Sequence, residues 1–241
     1  MGFYESIAEY YDDIFPLDEA QVDFVKGACP PPYARREILD VGCGTGNLAV
    51  ALAREGFRVT AVDLDQAMVE KAAEKGRAAP HLRFRQLDMR VLSSAFPPGS
   101  FDKVLCFGNT LVHLEKQSDV LSFLKAGREL LRGEGSLLLQ ILNYDRILAK
   151  RLPGLPTIEN DRIKFERIYR YPEEHHILFR TVLTVKASGA VVENEVPLYP
   201  LKVGEMEMFL KEAGFSEIRF FGSFRRDPLT PDSLPLVTEA G

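Results

Sequence analysis

Residues 38–50, ILDVGCGTGNLAV, constrain this chain more than any other stretch. An apolar run ends in an acid, three glycines follow at alternate positions, and apolar residues then resume at helical spacing. A strand leading through a glycine turn into a helix is the opening unit of an α/β sheet. Such turns commonly hold a nucleotide, because backbone amides at a helix start attract its polar groups. The rest of the chain decides which nucleotide is expected.

The alternation continues along the sequence. Strands are predicted at 37–41, 57–63, 82–88, 101–107 and 136–142, with helices at 45–55, 65–75 and 117–132 closed by Gly56, Gly76 and Gly133. Two helices should precede them, at 3–15 and about 18–28, the second stopped by Pro30-Pro31-Pro32. In the first, Phe3, Ile7, Tyr10, Tyr11 and Ile14 recur at helical spacing. The pattern predicts an α/β, Rossmann-like doubly wound and mostly parallel seven-stranded sheet. After Pro153 the pattern changes. The segments 162–171, 177–185 and 190–196 have no helices between them and read as an antiparallel β insertion after strand five. A helix at 204–214 and strands at 216–221 and 234–240 return to the first style. Residues 1–152 and 201–241 are expected to form the core with an N-terminal helical cap, and 153–200 the insertion.

Composition excludes several classes. The apolar content is 46% and the charged content 27%, both ordinary for a globular chain of 241 residues. A net charge of −5 disfavours a nucleic-acid partner, which needs a basic stripe. Cys29, Cys43 and Cys106 have no CxxC spacing, so neither disulfides nor zinc are expected and a reducing cytoplasm fits. No apolar run approaches the roughly 18 residues of a membrane span. The opening MGFYES loosely fits a myristoylation pattern, but no polybasic patch follows, and an ordinary cytosolic start is the reading.

Gly42, Gly44 and Gly46 run G-x-G-x-G, whereas the dinucleotide fingerprint runs G-x-G-x-x-G and would place its third glycine at Asn47. Asp40, two residues before the first glycine, is awkward beside a pyrophosphate and suits a ligand that presents an ammonium. No G-x-x-x-x-G-K-[ST] occurs, so a P-loop is excluded. A nicotinamide-dependent dehydrogenase is disfavoured on the same grounds.

The set Asp40-x-Gly42-x-Gly44-x-Gly46 resembles motif I of the class I S-adenosylmethionine-dependent methyltransferases. Three further matches follow in family order: Asp63 ending strand two, Asp88-Met89 after strand three, and Phe107-Gly108-Asn109 after strand four. The resemblance implies that S-adenosyl-L-methionine is the cofactor, leaving as S-adenosyl-L-homocysteine. It implies that the glycine turn wraps the methionine part and ribose, that Asp63 accepts bonds from the ribose hydroxyls, and that Asp88 and Met89 meet the adenine. Tyr11, Leu64, Met68, Phe107 and Gly108 are expected to complete the cofactor site.

After strand four the chain reads CFGNTLVHLEK, without the [N/D]-P-P-[Y/F] motif of enzymes that methylate nucleobase or glutamine-amide nitrogens. GNTLVHL, ILNYDRIL and the tyrosine-rich opening are instead similar to the small-molecule branch with glycine/sarcosine and amino-sugar N-methyltransferases. That resemblance implies a small-molecule acceptor, with an amine the leading reading. An O-methyltransferase, or a non-catalytic protein of the same fold, stays open. His113 is the candidate base, Tyr11 and Asn109 further catalytic candidates, and Asn143, Tyr144 and Arg146 candidate substrate contacts. His175-His176 point to opposite faces of a hairpin and Glu173-Glu174 make a polar turn, so no metal is expected there.

Overall fold

The computed structural model describes residues 6–173 and 176–241. Phe3 of the first predicted helix, the MGFYE opening, Glu174 and His175 lie outside those residues. The parallel strands are β1 (Glu37–Val41), β2 (Arg58–Asp63), β3 (Leu82–Gln86), β4 (Phe101–Cys106) and β5 (Leu131–Leu142). An antiparallel group follows: β6 (Gly154–Glu159), β7 (Ile163–Glu173), β8 (His176–Val185) and β9 (Val191–Leu198). The chain returns through the helix Val203–Glu212 to β10 (Ile218–Phe221) and β11 (Pro235–Ala240). The large sheet has the order β10-β11-β5-β4-β1-β2-β3, and β11 runs antiparallel to both of its neighbours.

Burial on both faces explains the unbroken apolar runs of the central strands. Alternate residues of β1 enter different cores: Leu39 and Val41 join one cluster, and Ile38 joins the cluster on the other face. Asp40 has the parity of Ile38, and it is 3% exposed. The turn after β1 feeds the helix Asn47–Arg54, which covers that face with Leu48, Ala49, Leu52 and Ala53.

Three departures from the predicted elements have identifiable causes. The helix Gln117–Leu130 ends before Gly133, because Leu131 already has extended backbone and starts β5. Gly133 therefore lies within β5, in a stretch where the pairing with β4 shifts register. The segment after β5 forms a short helix, Tyr144–Ala149, started by Asn143, whose side chain accepts from the amide of Arg146 at 3.3 Å. The insertion has a fourth strand, β6, paired with β7; the prolines at 153 and 156 masked it in the sequence, and Pro156 sits where the β6–β7 register breaks.

The N-terminal segment joins the two sheets. It forms a 3₁₀ turn, Ala8–Tyr10, and one helical turn, Tyr11–Ile14. Ile7 and Ile14 are buried against Ile163, Phe165 and Leu183 of β7 and β8. Burying two such side chains stabilises the contact by roughly 3–6 kcal/mol, an upper figure because the unfolded chain is itself partly compact.

Candidate active site

The carboxyl ends of β1 to β4 and the N-terminal segment enclose the site. In the turn after β1, Gly44 stands at φ +54°, and a Cβ on it would lie 2.7 Å from Tyr11 Oη. Gly46 stands at φ +79°, and a Cβ there would lie 2.8 Å from Phe84 Cζ. Glycine at 44 thus lets a tyrosine lie directly on the turn, and glycine at 46 lets the following helix approach β3.

Asp63, which ends β2, and Asp88, two residues past the end of β3, both brace turns. Asp63 Oδ2 accepts from the Gly44 amide at 2.8 Å and Oδ1 from the Asp65 amide at 3.0 Å. Burial raises the pKa of Asp63 although these amides pull it down. Asp88 accepts from the Arg90 amide at 2.9 Å and from the Arg90 guanidinium, which holds its pKa below the ordinary value. Each carboxylate also faces a cavity of about 430 Å³, with Tyr11, Leu64, Met68 and Met89 among its apolar walls. Its volume falls in the range usual for small-molecule sites.

A second cavity of about 360 Å³ lies on the other side of the turn, lined by Asp40, Gly42, Cys43, Thr45 and Gln140 among others. Asp40 Oδ2 is buried and has no hydrogen-bond partner. Burial, with the nearby charge of Asp63 second, pushes its pKa up to about 7. A buried carboxylate oxygen left without a donor is costly unless a ligand supplies one.

A third, smaller cavity of about 180 Å³ opens between the end of β4 and the antiparallel sheet. It is walled by Phe15, Leu142, Leu155, Phe179 and Leu198, with His113, Arg167 and Tyr169 as its ionisable residues. Gly108 borders all three cavities. Its amide donates to Gln140 Oε1 at 2.8 Å, which fixes the turn after β4. His113 ends the 3₁₀ turn Thr110–His113 and borders the first and third cavities. Desolvation pushes its pKa down to about 4, so the imidazole is neutral near pH 7.

The other sequence candidates have structural partners. Asn109, left-handed at φ +66°, accepts from the Leu142 amide at 3.0 Å and donates to Tyr144 Oη at 3.1 Å, tying β4 to β5 beside the third cavity. Asn143 caps its helix and donates to the Ser233 carbonyl at 3.1 Å. Tyr144 is wholly buried in the main core, and Arg146 is half-buried. Asn143, Tyr144 and Arg146 line none of the three cavities. Among the described residues no three His, Cys, Asp or Glu side chains are grouped to hold a metal.

Sequence reasoning passed over Gln140, Arg167 and Tyr169. A single polar residue within SLLLQIL was the available signal for Gln140. Arg167 interrupts the alternation of Ile163, Phe165, Tyr169 and Tyr171, which share its strand parity.

Thr45, Asn47 and Lys75 converge on Asp12, whose Oδ1 accepts from Asn47 at 2.9 Å and whose Oδ2 accepts from Lys75 at 2.6 Å. Asp13 pairs with Arg162 at 2.7 Å. The segment carrying Tyr11 is therefore tied on one side to the glycine turn and on the other to the antiparallel sheet.

Residues 38–135 match the family model described as "Methyltransferase domain". The chain is 31% identical over 212 residues to the glycine/sarcosine N-methyltransferase of Parasynechococcus marenigrum, covering 86% of this chain and 72% of that protein. It is 38% identical over 131 residues to a ubiquinone biosynthesis O-methyltransferase of Xanthomonas campestris, covering 53% of this chain and 51% of that one. In fold it resembles an S-adenosylmethionine-dependent methyltransferase from Clostridium acetobutylicum, with a TM-score of 0.82 at 20% identity over 99% of this chain and 98% of that chain. With a strand-end acid and glycine turn leading into cavities of this form, the chain belongs to the S-adenosylmethionine-dependent methyltransferases.

Proposed function

We propose that this methyltransferase acts on the amine nitrogen of a small molecule held in the third cavity. The observation that carries the reading is the absence of a strong base among the described residues that line that cavity. His113 is held neutral with its pKa near 4, burial raises the pKa of the Tyr169 phenol, and arginine stays protonated. A hydroxyl acceptor must lose its proton to become a good nucleophile. An amine needs no base once it arrives unprotonated, because its lone pair is already available.

The residues present fit the cofactor. Asp63 keeps unused lone pairs toward the first cavity and would take the ribose hydroxyls. Leu64, Met68 and Met89 would cover the adenine, and Asp40 would meet the amino group of the methionine part through its orphaned oxygen. When bound, S-adenosylmethionine supplies a methyl group on a sulfonium, open to in-line displacement. Gly108, which borders all three cavities, adds no side chain there, and Gln140 holds that backbone in place. Neutral His113 would accept a hydrogen bond from the acceptor's N–H and turn its lone pair toward the transferred carbon. Such positioning alone can lower a barrier by about 7–11 kcal/mol.

The relative matched over most of this chain is named for N-methylation, and the O-methyltransferase matches about half. The test is mass-spectrometric methyl transfer to a panel of amines and their hydroxyl counterparts. Products methylated on nitrogen, at a rate that rises with pH as the acceptor amine loses its proton, are expected. Methylation of the hydroxyl series alone overturns the reading.

A further inference from the structure

The antiparallel sheet turns one side of β7 and β8 toward the cleft. On β7 that side carries Ile163, Phe165, Arg167, Tyr169 and Tyr171; on β8 it carries Ile177, Phe179, Thr181, Leu183 and Val185. Arg167 is the one cation among these residues. Its Nε and Nη2 donate to the Pro156 carbonyl on β6, at 3.2 Å for Nε. No carboxylate among the described residues pairs with it, although sixteen other cation–carboxylate pairs are formed among those residues. Desolvation pulls its pKa below the ordinary value, as burial without a counter-ion does.

Two hydroxyls beside it are unsatisfied. Tyr169, 4% exposed, has its phenolic oxygen buried without a partner. Thr181, wholly buried and paired across the ladder with Arg167, has an unpartnered Oγ1. Arg167 and Tyr169 line the third cavity together with Gly108 and His113. Phe15, Leu142, Leu155, Phe179 and Leu198 make its walls mostly apolar, with Asn109 and Gln140 as further polar residues. An unpaired cation with unsatisfied hydroxyls on an otherwise apolar face needs an explanation in a folded protein, and an anionic ligand supplies one.

We propose that the methyl acceptor carries a carboxylate gripped by Arg167 and Tyr169, joined through an apolar body to the group presented at Gly108 and His113. The inference rests on the assignment of the third cavity to the acceptor. A planar guanidinium suits a carboxylate because two parallel N–H groups meet two oxygens, and the phenol can donate a further bond to the same group. A cavity of about 180 Å³ with five apolar side chains in its walls suits a body of several carbons, so the acceptor is larger than glycine.

The test is calorimetric titration of the full chain, saturated with S-adenosylhomocysteine, with phenylacetate, 4-aminobutyrate, phenylalanine and glycine, each beside its amide. The expected result is saturable binding of the larger acids at least tenfold tighter than their amides and tighter than glycine. R167M should erase the preference for acid over amide, and Y169F should weaken the acids several-fold. Both should leave the affinity for S-adenosylhomocysteine unchanged, which is also the control for folding; R167K, which keeps the charge without the fork, should keep part of the preference. Amides that bind as well as acids, acids that do not bind, or an R167M variant that still prefers acids overturns the proposal. Product analysis separates this from the amine reading: 4-hydroxybutyrate that binds and is methylated on its hydroxyl keeps the Arg167 anchor and removes the amine, whereas methylation of a carboxylate overturns the anchor.

Discussion

At the residue scale, Asp40 and Asp63, the two acids proposed to meet the cofactor's amino group and ribose, differ in what the fold has already asked of them. Asp40 is buried and one of its oxygens is unpartnered, with a folded pKa of about 7 against an unfolded value near 3.9. Over that window the folded chain keeps a proton that the unfolded chain has lost. Its contribution to stability is therefore present below about pH 4 and is lost as the pH rises toward 7. Binding of a ligand ammonium favours the ionised form and runs the other way. The affinity for S-adenosylhomocysteine should rise by up to about tenfold per pH unit below 7 and flatten above it. Titrations at several pH values should show this slope in the natural chain and none in Asp40→Asn. Asp63 already accepts two backbone amides, yet a carboxylate can take further donors. Asp63→Ala should weaken cofactor binding by about 2 kcal/mol or more, roughly thirtyfold, through lost charge-assisted bonds. Calorimetry giving an unchanged affinity would remove the ribose assignment.

At the element scale, the N-terminal segment acts as a strap between the glycine turn and the antiparallel sheet. Burial alone would raise the pKa of Asp12, but hydrogen bonds from Lys75, Thr45 and Asn47 outweigh it and the net shift is downward. The carboxylate anchor thus contributes above about pH 4 and is lost as the pH falls through its lower folded value. Asp12→Ala should raise amide hydrogen exchange in residues 7–15 by about tenfold while the exchange of β1 and β4 stays as it was. Gly44→Ala acts on the same contact from the other side. A methyl group there meets the Tyr11 ring and a left-handed backbone costing roughly 1–2 kcal/mol, so cofactor affinity should fall about tenfold. A full affinity in that variant would mean that Tyr11 does not lie over the turn in solution. Elements with strong periodicity were legible: β1 and the helix Gln66–Lys75 follow directly from apolar runs and flanking turn residues. The helix Tyr144–Ala149 was not, because only its cap, Asn143, and the contacts of Tyr144 in the main core select it over a turn. β6 was hidden for a different reason, since its hydrogen bonds to β7 come from tertiary pairing and its prolines argue against a strand.

At the scale of the whole molecule, Tyr169, Ile177 and Leu198 of the antiparallel sheet belong to the same buried cluster as Leu39, Val104 and Leu139 of the large one. The two sheets share a core, so they should melt together. The chain has no tryptophan, and tyrosine fluorescence and far-ultraviolet circular dichroism should give coincident transitions. Two separated transitions would show that the antiparallel sheet is stable independently. The sequence by itself determined the alternating architecture and the strand ends that carry Asp40 and Asp63, because period and turn chemistry are local and act wherever the residues stand; the third strand stops at Gln86, two residues short of the predicted end at Asp88. Only the tertiary structure decided that Asp40 stays unpartnered, that burial keeps His113 neutral, and that Arg167 faces the cleft from a strand about sixty residues beyond Gly108. These are properties of packing and solvent exclusion, and they exist only once distant segments exclude water from a common space.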